Sequence, residues 1–256
     1  MKFGRAQTEA LRRLDGGPAA TSDPFSAYVD IDRPAPPGRP WVLANFVATV
    51  DGSVAVDGRV GALSSSIDNQ VFELLRAIAD VVMVGAGTVR AERYGPVKLD
   101  ELGQAVRDGR DPPAVAVVSR SLDLDWTWPL FTDPAIRTIV VTCASADPKR
   151  LDAARGVGDV IVAGDDDLDL TDALSQFRKR GHELITCEGG PTLLRDLLAA
   201  GLLDELCLTI APLVGGDPLR LLADGATFAQ QRLRLAHVLR GGDELFLRYL
   251  LDDGTS

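Results

Sequence analysis

Cysteine and histidine are scarce in this chain. Its 256 residues hold three cysteines and two histidines. Cys143, Cys187 and Cys207 stand in apolar runs without CxxC spacing, which argues for buried free thiols and against a disulfide framework. His182 and His237 are far apart in sequence and form no metal-ligand motif, so both read as structural and no metal is expected. No uninterrupted apolar run reaches the ~20 residues that cross a bilayer. The opening MKFGRAQTEALRRLDGG has no apolar signal-peptide core. No GK[ST] follows a glycine-rich loop, which argues against kinase or ATPase chemistry. Positive charge is in the minority, with 27 Lys and Arg against 37 Asp and Glu and a net charge of -10. A nucleic-acid or polybasic membrane binder needs the opposite balance. The expectation is a cytoplasmic protein that takes a small-molecule substrate and touches neither nucleic acid nor membrane.

What is present is a core. Hydrophobic residues make up 46% of the chain, enough for one large domain or two small ones. Residues 1–40 differ from the rest. Ala6 to Leu14 has the spacing of a short helix, and Arg33 to Pro40 carries proline at a density that blocks helix and central strand. Residues 1–40 are therefore read as an arm and 41–256 as the domain. Within the domain, Trp41 to Val50 reads as a buried strand that ends at the Asp51-Gly52 turn. A helix follows Ser64-Ser65-Ser66, with Val71, Leu74, Leu75 and Ile78 at helical spacing and a serine or Asp68 as its cap. Strands are expected at 80–84, 114–118, 138–142, 159–163, 184–187 and 205–210, with loop over 95–113. Leu233 onward alternates, turns at Gly241-Gly242 and returns through 245–251 as an antiparallel hairpin. Strands alternating with helices mean an α/β fold with a mostly parallel twisted sheet.

The stretch LITCEGGPTLLRDLL, 184–198, is a strand, then Glu188, two glycines, and a helix opened by Pro191. Pro191 fits a first helical turn, where its missing N–H has no intrahelical partner. Free amides at such a start, unobstructed by side chains, suit a phosphate. A second strand runs into Gly85-Ala86-Gly87-Thr88, and a third into Ser119-Arg120. Parallel strands share a carboxyl edge, so all three junctions, and Asp51, fall on one side of the sheet. Asp165-Asp166-Asp167 lack the ligand spacing of a calcium loop and read as a solvated turn.

ATVDGSVA (48–55), SSSIDNQVFELLRAIADVVMVGAGTVRAE (64–92), CEGGPTLLRDLL (187–198) and GLLDELCLTIAPLVGG (201–216) together resemble one family. It is the reductase domain of the bifunctional riboflavin-biosynthesis deaminase-reductase, which has the dihydrofolate reductase-like fold. The resemblance implies NADPH as cofactor, a ribosylaminopyrimidine phosphate as substrate and a homodimer. It implies that Val47, Ala62, Thr88, Glu92, Ser119 and 190–196 lie around NADPH, and Val60, Arg76 and Glu188 around substrate. The candidate cofactor set is then Val47, Ala48, Ala62, Gly85, Gly87, Thr88, Glu92, Ser119, Arg120, Gly189, Gly190, Pro191, Thr192 and Leu193. Ser119 and Arg120 are placed for the 2′-phosphate. Asp51 and Glu188 are the candidate catalytic acids, able to bind ring N–H groups or handle a proton, and Asp51 joins the substrate set.

The chain departs from that family in three places. It has no HxE or PCxxC, so deaminase chemistry is not expected. After Glu92 it reads RYGPVKLD, without the family's Thr-x-Arg, and Lys98 offers a point charge in place of an arginine fork. Val60 replaces a polar contact. Three readings follow: a reductase of the riboflavin-pathway pyrimidine, a reductase of a pterin such as dihydrofolate, and a nucleotide-binding module without turnover.

Overall fold

In a computed structural model of the chain, residues 11–14, 25–225 and 228–251 are described. The first strand, β1 (Leu11–Arg13), lies where the sequence suggested a helix. Residues 6–10 of that stretch lie outside the described residues, and Leu11–Arg13 do not keep to a helix. They pair instead with the outer edge of β9 (Leu233–Gly241), Leu11 opposite Gly241. The arm continues through α1 (Ser26–Val29), which buries Phe25 and Tyr28 against the domain. Arg39 then forks onto Asp204 at 2.6 and 2.7 Å. Residues 25–40 thus wrap their own domain.

β2 (Trp41–Thr49) starts the parallel sheet, and α2 (Ser66–Ile78) follows. Ser65 caps α2 by accepting the amides of Ile67 and Asp68, leaving Val71, Leu74 and Leu75 on the buried face. Then come β3 (Val81–Gly85), α3 (Ala86–Glu92), α4 (Glu101–Arg107), β4 (Ala114–Val118), α5 (Pro129–Thr132), β5 (Ile139–Thr142), α6 (Pro148–Val157), β6 (Asp159–Val162), α7 (Leu170–Lys179), β7 (Leu184–Cys187), α8 (Pro191–Ala199) and β8 (Glu205–Ala211). α4 corrects the loop expected over 95–113. Asp100 caps it through the amide of Gly103, and Leu102 and Val106 bury one side. The expected hairpin closes the sheet: β9 and β10 (Glu244–Leu251) join through Gly242, which sits at φ 58°.

Ten strands form one sheet in the order β1-β9-β10-β8-β2-β7-β3-β4-β5-β6. From β8 to β6 every pairing is parallel, and β1, β9 and β10 are antiparallel additions. Side-chain alternation feeds two faces. Val81 and Met83 pack with α7 and α8, whereas Val82 and Val84 pack with Val89 of α3 and Phe131 of α5. The strand order positions the site. The chain runs outward from β3 to β6, then returns β7 into the slot between β2 and β3. That return sets the Glu188-Gly189-Gly190 turn directly beside the turn that leaves β3. The three cysteines are buried and free, and burial pushes the Cys187 thiol up to about 12. Among the described residues no helix is long and apolar enough to cross a membrane.

Candidate active site

The two glycine junctions are hydrogen-bonded to each other. The Gly85 amide donates to the Gly189 carbonyl at 2.7 Å, and the Glu188 amide to the Met83 carbonyl at 2.9 Å. The Gly189–Gly190 peptide is cis. Side chains have no room here. A Cβ on Gly190 would stand 2.8 Å from Thr88 Oγ1, and one on Gly85 would stand 3.4 Å from the Gly190 nitrogen. Gly189 sits at φ 106°, a conformation that favours glycine. The Gly87 side is open, with nothing within 4 Å of its would-be Cβ. α3 and α8 both begin at a glycine, and neither has a side-chain cap. Gly189→Ala is expected to cost about 1–3 kcal/mol of stability, as strained backbone does, read from denaturant unfolding.

These junctions form the floor of one cavity of about 1570 Å³ along the carboxyl edge of β2, β7, β3 and β4. The cavity brings together most of the expected residues: Val47, Val60, Gly85, Gly87, Thr88, Glu92, Ser119, Arg120, Glu188 and Gly189 through Leu193. Glu92 also ties the opposite wall in place, accepting the Val60 amide at 3.0 Å. Four expected residues are not on the wall. Ala48 is buried in β2, and Ala62 is exposed on the neighbouring loop. Asp51 is turned away. It accepts from Thr49 Oγ1 at 2.7 Å and from the Gly215 amide at 2.8 Å, which hold its carboxyl below the usual range. Arg220 also binds the Asp51 carbonyl at 2.6 Å. The acid pair expected from Asp51 and Glu188 is therefore not assembled, because the loop after β8 claims Asp51. Arg76, the fourth, lies behind the wall.

The model of the RibD C-terminal domain matches residues 40–247. The chain belongs to this family. It is 32% identical over 220 residues to the 2,5-diamino-6-ribosylamino-4(3H)-pyrimidinone 5′-phosphate reductase of Methanothermobacter thermautotrophicus, covering 82% of this chain and 98% of the relative. The reductase of the same name from Archaeoglobus fulgidus is 30% identical over 210 residues, covering 80% and 95%. Among solved structures, a pyrimidine reductase-like protein from Corynebacterium diphtheriae superposes with a TM-score of 0.75 at 29% identity, covering 90% of this chain and 95% of that one. RibD of Acinetobacter baumannii shares the fold, with a TM-score of 0.70 at 22% identity, covering 85% of this chain and 59% of that one.

Within this RibD C-terminal domain, Glu188 is clamped rather than free. Arg76 of α2 donates Nε to Oε1 at 2.7 Å and Nη2 to Oε2 at 2.8 Å, a bidentate fork. Tyr94 Oη donates to the same Oε2 and accepts from Arg76 Nη2 at 2.6 Å. Glu73 takes Arg76 Nη1 at 3.2 Å, and the Phe72 ring lies 3.9 Å beneath the guanidinium. Burial works against the Arg76 charge, but Glu188 and Glu73 leave its pKa above the ordinary value. Burial pushes the Glu73 carboxyl up despite Arg76 beside it. Arg76 and Glu188 thus act as one neutral unit. Tyr94, absent from the sequence-level site, completes it.

A second residue was missed as a site group. Asp68, considered only as a cap, is 6% exposed and lines the cavity from the first turn of α2. Burial raises its pKa, and hydrogen bonds from Thr209 and Ser64 only partly offset this. A signal for it was legible: Asp68 falls on the Val71–Leu75 stripe, where an acid is out of place on a buried face.

Proposed function

We propose that this protein is an NADPH-dependent reductase of a ribosylaminopyrimidine phosphate, the 2,5-diamino-6-ribosylamino-4(3H)-pyrimidinone 5′-phosphate of its relatives' name. The observation that carries the reading is the cavity itself, with two uncapped glycine junctions side by side and a buried carboxyl across from them. The residues present fit the cofactor, since the open side of Gly87, with nothing within 4 Å of its would-be Cβ, and the uncapped starts of α3 and α8 leave backbone amides free for a pyrophosphate. Gly85 to Thr88 and Gly189 to Leu193 would hold it, with Ser119 and Arg120 toward the 2′-phosphate. When bound, NADPH supplies the hydride that reduces the opened ribose. Asp68 accepts donors from the heterocycle. The Arg76–Glu188–Tyr94 unit stiffens the wall between the two parts of the site.

A pterin-type substrate is the second reading, and a specific observation favours it. Arg76 is the one basic residue of α2, and Glu188 and Glu73 engage it fully. Arg76 therefore offers no unengaged fork for a 5′-phosphate, and Arg90, which lines the same cavity, is held at Nη1 by the Asp123 carbonyl at 2.8 Å. Both substrates present a 2-amino group beside a ring N–H, so Asp68 serves either. The test follows reduced-nicotinamide absorbance with NADPH and each substrate. Oxidation with the ribosylaminopyrimidine phosphate supports the first reading. Oxidation with dihydrofolate alone replaces it with the second, and oxidation with neither leaves a binding module. The same reading takes 41–256 as the reductase unit, working in the cytoplasm as a homodimer. Leu233, Leu235 and Leu245 remain exposed on the terminal hairpin, and a monomer mass by light scattering would remove the dimer.

A further inference from the structure

The far end of the cavity carries charges of both signs. Arg120, leaving β4, donates Nη1 to Asp167 Oδ1 at 2.7 Å, and both residues line the cavity. Both side chains are exposed, 70% and 78%. Asp167 belongs to the loop after β6, and Asp165 and Asp169 of that loop also line the cavity. Asp169 is committed to capping α7, accepting the amides of Thr171 and Asp172 at 2.8 and 3.0 Å. The loop is fixed against the end of β5. Ser145 donates its amide to the Asp165 carbonyl at 2.9 Å and its hydroxyl to the Asp166 carbonyl at 2.9 Å. Gly164 makes the entry turn at φ 82°, where a Cβ would stand 2.2 Å from the Asp167 carbonyl oxygen. Asp167 is therefore presented to Arg120 by a braced backbone.

We propose that Asp167 and Arg120 form a two-way selector for the cofactor's adenosine ribose, Arg120 taking a 2′-phosphate and Asp167 taking a 2′-hydroxyl. The proposal rests on the dinucleotide reading above. A 2′-phosphate offers acceptors only, so it must draw Arg120 from Asp167 and then lie beside a carboxylate. A free 2′-hydroxyl is a donor, and a carboxylate at this edge of a sheet is the usual partner for it. Each nucleotide satisfies one member of the pair and leaves the other to solvent. The wild-type preference for NADPH over NADH is accordingly narrow, and Asp167 is what narrows it.

The test measures Kd for NADPH and NADH on the wild type, on Asp167→Asn and on Arg120→Ala, by titration calorimetry at low salt. Asp167→Asn is expected to tighten NADPH about fivefold, in line with an exposed ion pair, and to weaken NADH. Arg120→Ala is expected to weaken NADPH and, by releasing Asp167, to tighten NADH by a few fold. Raising the salt concentration should shrink both NADPH effects. Both positions are exposed, so unchanged melting temperatures are expected to confirm folding. A change of equal size for both nucleotides, or none, in Asp167→Asn overturns the selector while leaving the reductase reading intact. A wild-type protein that binds neither nucleotide overturns both.

Discussion

Asp68→Asn is expected to lower kcat/KM by about 100-fold or more while leaving the NADPH Kd unchanged. The size follows from the loss of a buried, doubly hydrogen-bonded recognition that a polar site otherwise enforces. A pyrimidinone or pteridine with a 2-amino group and an adjacent ring N–H presents two parallel donors, which match the two oxygens of an ionised carboxylate. Asparagine offers one acceptor and sets an NH₂ against the second donor. Burial raises the pKa of Asp68 above the ordinary aspartate value, and Thr209 and Ser64 restrain the rise. Its titratable neighbours are Glu244 and Tyr28, each coupled to it by charge. The acceptor form is therefore lost, as pH falls, sooner than for an exposed aspartate. The acid limb of kcat/KM should lie above the usual aspartate range in the wild type and vanish in Asp68→Asn. Steady-state kinetics over a pH series reads both effects. An Asp68→Asn protein with wild-type kcat/KM would make Asp68 a structural residue and remove it from the site.

How much of this was readable beforehand differs by element. Both glycine junctions and their shared edge were legible, because strand ends and helix starts are local and parallel strands point one way. Their direct adjacency was not. It depends on β7 returning between β2 and β3, a nonlocal pairing that no window of sequence contains. Asp51 illustrates the same limit. Its position at the strand end was right, but the direction of its side chain is decided by Gly215 and Arg220, far along the chain. Leu11–Arg13 end the 6–14 stretch that has helical spacing, but the edge of β9 offers them strand pairing and decides their conformation. α4 carries only Leu102 and Val106 as apolar signal, between prolines and glycines that mark loop. Arg76, expected beside substrate, has its guanidinium engaged by Glu188, a pairing far along the chain that no local window of sequence contains.

Glu205→Gln is expected to be among the most destabilising single changes in the chain, by about 3–5 kcal/mol, the range for removing one partner of a buried ion pair. Glu205 is fully buried at the start of β8. Arg33 of the arm donates Nε and Nη2 to its two oxygens at 2.8 and 2.9 Å. Arg248 of β10 donates the same two groups at 2.6 and 3.1 Å. One carboxylate therefore joins the arm, the parallel sheet and the antiparallel hairpin. Glutamine would leave two guanidinium groups in a dry site with no counter-charge. Burial alone would raise the Glu205 pKa, but the hydrogen bonds and charge of Arg33 and Arg248 win and lower it to about 2. Because the folded value lies below the ordinary one of 4.5, the stabilisation is complete above that pH and lost as pH falls toward 2. A shift of that size corresponds to roughly 3 kcal/mol. Guanidinium unfolding at neutral pH should show the loss in Glu205→Gln, and an acid titration of the wild type should show stability falling between pH 4.5 and 2. In Glu205→Gln that part of the acid transition should flatten, since the group that takes up the proton is gone. A variant with wild-type stability at neutral pH would mean that the two arginines find other partners, and that the arm is held by Phe25, Tyr28 and the Arg39–Asp204 fork.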